Sequence, residues 1–236
     1  AICIKTVRTV GADFFSSYSS SSSSFPFPSS LKYLSIDRVS GMETLLLLSN
    51  LSSLTNLGIE DCGDLRGEDL CSLLAQGQLT RLRVNKNPKF FVGINPSSLQ
   101  HLVTDDIAGV LVVPICRLLS PSLTKLTIFC NNEVKRFTKE QNMALEHLSS
   151  LQELSFSFCR LQFLPSVLHR LVSLKRLEIS CSEFISSLPK SGLPSSLEIL
   201  DVSGGSEELK RQCRKLRGAI PIIKDNDWDL IDSFLD

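Results

Sequence analysis

The phrase Leu-x-x-Leu-x-(Ile/Val/Phe) recurs along this chain, and its recurrence leaves few folds open. Copies start at Leu31 (LKYLSI), Leu54 (LTNLGI), Leu79 (LTRLRV), Leu99 (LQHLVT, ending in Thr104), Leu123 (LTKLTI), Leu151 (LQELSF), Leu174 (LKRLEI) and Leu197 (LEILDV). The intervals are 23, 25, 20, 24, 28, 23 and 23 residues, most regular in the stretch from Leu148 to Gly204. Apolar side chains at alternate positions describe a short strand, with Leu154 and Phe156 turned inward and Ser155 and Ser157 turned outward. A unit this short cannot bury its own apolar face, so the copies must stack.

The spacing lies in the leucine-rich repeat range of about 20 to 29 residues. It predicts an α/β leucine-rich repeat solenoid, a curved horseshoe with a parallel sheet on its concave face and turns and short helices on its convex face. Leu161, Leu164, Leu168 and Leu171, three or four residues apart, supply convex inward positions. Pro165, Pro189 and Pro194 forbid long helices in the last third. Two repeats carry inserts. One, Asp105 to Pro121, is a hydrophobic run; the other, Asn131 to Ser150, predicts a helix with Phe137, Met143 or Ala144, and Leu148 on one face. Residues 206–236 read as a capping helix and an acidic tail: Ser206 is the N-cap, Leu209, Cys213 and Leu216 share a face, and Gly218 is the stop. The IPII after it packs briefly. Residues 31–205 are then a domain of eight repeats. Residues 1–30 hold either an edge strand or part of an upstream repeat, followed by a Ser-rich flexible linker from Ser16 to Ser30.

Composition narrows the function classes. Lys plus Arg equals Asp plus Glu at 25 each, so no net field draws the chain to nucleic acid. The longest apolar run, Ile107 to Cys116, is half of the roughly 20 residues of a membrane span and contains Pro114. The eight cysteines are dispersed, with no C-x-x-C pair, and read as reduced thiols of a cytoplasmic protein. Ala1 opens without an initiator Met or a signal-peptide apolar region, which reads as a fragment or a processed chain.

Enzyme chemistry finds no foothold. His101, His147 and His169 fall in different repeats without partners at ligand spacing, and no G-x-S-x-G or G-x-x-x-x-G-K-[ST] occurs. No cofactor and no metal are expected. What remains is the outward face of the strands, a surface for protein recognition. Its candidate residues are Tyr33, Asp37, Glu60, Arg81, Arg83, His101, Val103, Asp105, Lys125, Thr127, Phe129, Glu153, Arg176 and Glu178. The same alternation turns Asn85, Ser155, Ser180, Asp201 and Ser203 outward.

The Leu151 repeat, LxxLxFxxCxLxxLPxxLxxLxxLxxL, has Cys159 at the turn after the strand where many repeats have Asn, and Cys62 has the same offset. With the PSSLE and SSLQEL phrases and the ending EELKRQCRKLRGAIPIIKD, the region from about Leu31 to Lys224 resembles the C-terminal part of plant intracellular nucleotide-binding leucine-rich repeat disease-resistance receptors of the cereal type. The resemblance implies a defence role. The repeats would sense a pathogen effector or a guarded host protein and restrain the receptor's own nucleotide-binding domain. This sequence lacks the phosphate loop and the Met-His-Asp motif, so nucleotide chemistry lies outside it. The alternative from another class is the substrate-receptor subunit of a ubiquitin ligase, which would need an F-box or similar adaptor segment that residues 1–30 do not show. An extracellular ectodomain would instead require disulfides.

Overall fold

The structure, a computed structural model, describes residues 7–8, 28–39, 44–129 and 131–225. The chain divides into two compact units, Ala1–Val110 and Leu111–Asp236. In the first, strands β1 (Val7–Arg8), β2 (Tyr33–Asp37), β3 (Asn56–Glu60), β4 (Arg81–Asn85) and β5 (His101–Thr104) lie side by side in chain order and pair in parallel. Two 3-10 helices (Leu46–Asn50 and Gly67–Leu70) and helices α1 (Cys71–Ala75) and α2 (Ile107–Val110) belong to its connections. The second unit holds α3 (Val113–Leu119), β6 (Lys125–Phe129), α4 (Lys139–Leu145), β7 (Glu153–Ser157), a 3-10 helix (Leu168–Arg170), β8 (Arg176–Ser180), β9 (Ile199–Asp201), α5 (Glu207–Arg214) and β10 (Ile222–Lys224). Its strands are also parallel and in chain order. The class is therefore α/β with repeat-like parallel sheet, not closed into a barrel.

Each copy of the repeated phrase is a strand. Its first Leu and the two inward positions that follow are buried in all eight copies, none more than 4% exposed. Full burial of such a side chain contributes about 1.5–3 kcal/mol, so the phrase supplies most of the driving force for stacking. Backbone hydrogen bonds then set the register. One carbonyl before each strand accepts two successive N–H groups of the next repeat: Lys32 O from Thr55 and Asn56, Thr55 O from Thr80 and Arg81, and Thr80 O from Gln100 and His101. Thr124 O, Gln152 O and Lys175 O do the same in the second unit.

The turn after the strand repeats too. Its first residue is left-handed at Arg38, Asp61, Lys86, Phe158 and Cys181, with φ between 47° and 55°. The next residue is buried, and where it is Cys, Asn or Ser its side chain ties the turn together. Cys62 Sγ donates to Ile36 O at 3.5 Å and Glu60 O at 3.2 Å, and Cys159 Sγ to Ile128 O at 3.3 Å and Ser157 O at 3.4 Å. Asn87 accepts from Cys62 N at 3.1 Å and donates to the carbonyls of Ile59 and Asn85. Ser182 accepts from Cys159 N at 3.0 Å and donates to Phe156 O and Ser180 O. After β9 the left-handed turn is replaced by Gly204, whose missing side chain is required because a Cβ there would collide with the backbone of Ser180 and Cys181.

The insert helix is present as α4, started by Thr138 and Gln141 in a reciprocal capping box. Ala144 and Leu148 are buried, whereas Met143 is 53% exposed, so of the two predicted alternatives Ala144 takes the inward position. Phe137 precedes the helix rather than lying on it and meets Phe156 edge to face at 6.1 Å. The hydrophobic run becomes α2 and α3, with Pro114 in the first turn of α3, where its missing N–H costs nothing. Between β7 and β9 the helical content is only the 3-10 turn Leu168–Arg170, in keeping with the prolines there. The capping helix runs from Glu207 to Arg214 with Ser206 Oγ accepting from Leu209 N at 3.2 Å; Leu209 and Cys213 are buried and Leu216 lies beyond its end. Sequence periodicity did not give β10: the IPII segment pairs with β9, Ile222 opposite Ile199. Of residues 1–15, Val7–Arg8 pair with β2. The Ser-rich linker, apart from the turn that Pro28 O makes with Leu31 N, and the tail after Asp225 lie outside the described residues.

Asn87→Ala would leave Cys62 N–H without its acceptor and remove the side-chain donor to Ile59 O and Asn85 O, the latter still accepting from Asp61 N. It should lower stability by about 1–3 kcal/mol, the cost of one orphaned buried group, seen as a lowered midpoint in thermal denaturation followed by circular dichroism.

Candidate functional site: the outward strand face

Constant register stacks the outward side chains in rows. In the first unit Tyr33, Asn56, Arg81 and His101 form one row, and Ser35, Gly58, Arg83 and Val103 the next. In the second unit Lys125, Glu153, Arg176, Ile199 and Ile222 are aligned, followed by Thr127, Ser155, Glu178, Asp201 and Lys224. The strands hold these side chains about 4.8 Å apart from row neighbour to row neighbour, so their positions are fixed before any partner arrives.

All fourteen candidates lie at or beside this face, at different depths. Tyr33 is 47% exposed and Arg81 is exposed, while His101, Val103, Thr127 and Phe129 are half-buried. Asp37 pairs with Arg38 at 3.1 Å, and Arg83 stands 3.9 Å from Glu60. Asp105 lies past the end of β5 and accepts from Lys86 N at 2.9 Å, which makes it a turn residue more than a face residue. Phe129 meets Phe158 edge to face at 5.6 Å.

In the second unit the face becomes a charge mosaic around a hollow of about 500 Å³. It is lined by Lys125, Thr127, Gln152, Glu153, Ser155, Ser157, Lys175, Arg176, Glu178 and Ile199. Lys125 and Glu153 pair at 3.0 Å with both side chains more than 40% exposed, a contact worth at most about 1 kcal/mol. Arg176 is more enclosed and bridges two carboxylates, Glu178 at 3.1 Å and Asp201 at 3.6 Å. Ser180 Oγ donates to Glu178 at 2.8 Å and Ser203 to Asp201, so the network joins β8 to β9 and the turn that follows it. Such an array presents fixed donors and acceptors to a polar protein surface.

Five residues read as outward are buried: Asn85, Ser155, Ser180, Asp201 and Ser203. Alternation gives the direction of a side chain, not its exposure. Four of the five are tied into the face: Ser155 bonds Ser157, Ser180 bonds Glu178, and Ser203 bonds Asp201, which also faces Arg176. A second group was not apparent from the strand pattern. Phe158, Phe163 and Phe184, in the segments that follow β7 and β8, are 41%, 44% and 55% exposed, with Arg136 over the Phe163 ring and Arg160 over that of Phe184. Their signal in the sequence is three aromatics outside the inward positions of the repeat.

No group of three His, Cys, Asp or Glu side chains that could hold a metal occurs among the described residues. No helix among them is long and apolar enough to cross a membrane. The six described cysteines, Cys62, Cys71, Cys116, Cys159, Cys181 and Cys213, are free thiols. Burial pushes Cys116 up to about 12; burial, with Asp225 nearby, does the same for Cys213. Asp225 itself fastens α5 to the end of β10. The hydrogen bond from Arg214 at 2.7 Å, with Arg217 at 3.1 Å, holds its carboxyl below the usual range against the opposing effect of burial.

A comparison with models of known protein families matches none of them, and one with curated proteins finds no significant match.

Two outcomes follow from the titrating groups. In the folded protein Cys116 and Cys213 should resist alkylation at pH 8 while the partly exposed Cys71 reacts, as peptide mass spectrometry after iodoacetamide would read. Asp225 has a folded pKa below its unfolded value of about 3.9. Its contribution is complete above that value and fades as pH falls through the folded one. Asp225→Asn should therefore flatten the acid branch of the stability curve below about pH 4.

Proposed function

We propose that the chain is a leucine-rich repeat solenoid and serves as a non-enzymatic protein-recognition module, the repeat portion of a plant intracellular nucleotide-binding immune receptor. One observation carries the recognition reading: outward side chains of both signs are held in constant register on parallel strands and surround an accessible hollow. A face built this way binds by charge and shape complementarity and gains from preorganisation, because little side-chain or backbone ordering is left for the encounter. The turn ladder of Cys62, Asn87, Cys159 and Ser182 supports the repeat assignment, since each occupies the position where such repeats place a side chain that bonds the turn.

The plant-receptor part rests on the Leu151 repeat pattern and the EELKRQCRKLRGAIPIIKD ending. On this reading the partner is a pathogen effector, a guarded host protein or the receptor's own nucleotide-binding domain, and the location is the cytoplasm, where free thiols persist. Specificity resides in Arg81, Arg83 and Tyr33 of the first unit and in Lys125, Glu153, Arg176, Glu178 and Phe129 of the second. Arginine and aromatic side chains are the usual anchors of protein interfaces.

Arg83→Glu, Lys125→Glu and Phe129→Ala should each impair effector response or intramolecular restraint in a plant cell-death assay while leaving the thermal midpoint close to wild type. Both charge reversals act on exposed pairs whose loss costs at most about 1 kcal/mol. Unchanged signalling in all three variants would count against recognition by this face.

A further inference from the structure

The strand faces of the two units differ in how their charges are neutralised. In the second unit every cation of the repeated phrases has a carboxylate partner: Lys125 with Glu153 at 3.0 Å, Lys175 with Glu198 at 3.3 Å, and Arg176 with Glu178 and Asp201. The phrases of the first unit, LKYLSI, LTNLGI, LTRLRV and LQHLVT, contain Lys32, Arg81, Arg83 and His101 and neither Asp nor Glu. Arg83 stands 3.9 Å from Glu60, which follows its own phrase. Lys32 and Arg81 are exposed and have no carboxylate within ion-pair distance among the described residues. Acids enter this face only at its third row, with Asp37 paired to Arg38 and Glu60 near Arg83. The first row, Tyr33, Asn56, Arg81 and His101, with Lys32 just before it, is therefore a basic band with carboxylates on one side. Residues at the place of Lys32 in the second unit, Gln152 and Lys175, line the hollow, so a side chain one position before the strand borders the face.

Lys32 and Arg81 belong to strands two places apart, about 10 Å between backbones, and Thr55 and Asn56 between them are uncharged. Carboxylates on alternate residues of an extended segment stand about 7 Å apart, a gap that the long Lys and Arg side chains close. A guanidinium takes a carboxylate through two parallel N–H donors, and Tyr33, 47% exposed in the same row, adds aromatic contact area. A phosphate chain running along the strands would meet Asp37 and Glu60 about 7 Å beyond the third-row boundary's preceding row, so the band favours a short run of carboxylates over a long polyanion. We propose that the face of the first unit takes a short acidic stretch of a protein partner, with Asp or Glu at alternate positions, whose carboxylates pair with Lys32 and Arg81. The inference rests on the strand face being a protein-recognition surface and adds the chemistry of the partner.

Fluorescence anisotropy with the full chain at about 0.01 M salt, where the Debye length is about 30 Å, tests this with three labelled twelve-residue peptides in which Ser alternates with Glu, Gln or Lys. The Glu peptide should bind and the Gln and Lys peptides should not. Lys32→Glu with Arg81→Glu should weaken the Glu peptide by about tenfold or more, as expected of two exposed ion pairs turned repulsive, with the thermal midpoint unchanged. Lys190→Glu with Lys215→Glu, which alters net charge equally at exposed sites outside the strands, should leave binding within about twofold. Raising salt towards about 1 M should release the peptide from the wild-type chain, a readout that holds even where a variant loses its fold. Equal affinity for the Glu and Gln peptides, or equal loss in the two double variants, would overturn the proposal. So would tighter binding of a twelve-nucleotide oligothymidylate that Lys32→Glu with Arg81→Glu abolishes, which would assign the band to a phosphate chain. None of these results alters the signalling outcomes of Lys125→Glu and Phe129→Ala, so loss of the acidic partner and loss of the recognition reading are told apart.

Discussion

The second of the two N–H groups that share each pre-strand carbonyl is the constraint on which the rest of both units depends. When Lys32 O accepts from Thr55 and Asn56, or Lys175 O from Glu198 and Ile199, the next strand can start at only one place relative to its neighbour. A slip of one residue would turn every inward Leu towards solvent and every outward Arg or Glu into the core. Burial of the phrase's apolar positions and this local hydrogen-bond pattern favour the same register, so the strands agree repeat after repeat despite intervals that vary from 20 to 28 residues. The length variation is absorbed in the connections, where α4 occupies the longest interval, 28 residues from Leu123 to Leu151.

From that register the character of the outward face follows. Rows are continuous because the register is constant, and charges stand closely enough to pair: Lys125 with Glu153 within one row, and Arg176 with Asp201 of the next row on the adjacent strand. Enclosure separates these pairs. The exposed Lys125–Glu153 pair is screened and available to a partner, whereas Arg176, Glu178 and Asp201 hold one another in place. Within the second unit the same parallel arrangement brings the ends of β6 and β7 together, which is why Phe129 and Phe158 meet edge to face although they are far apart in sequence.

Much of this was legible beforehand, and the misses have a common cause. Strand positions, a helix within the Asn131-to-Ser150 insert and the Ser206 cap depend on local pattern, so sequence periodicity and capping chemistry located them. Burial of Ser155, Ser180 and Asp201 depends on neighbours 23 or more residues away, and strand alternation carries no information about those. The choice of Ala144 over Met143 as the inward residue follows from the actual phase of α4, set by its Thr138 and Gln141 cap. Strand β10 escaped because IPII has no second copy of the phrase; only its pairing with β9 makes it a strand.

The sequence by itself determined that short strands would recur and stack in parallel, because a repeated apolar phrase too short to bury itself admits no other economical arrangement. Tertiary structure decided which outward residues remain accessible and which charges pair. It also brought Phe158, in the turn after β7, against Phe129 at the end of β6. Those outcomes depend on distances between side chains in different repeats, and such distances exist only once the strands are in register.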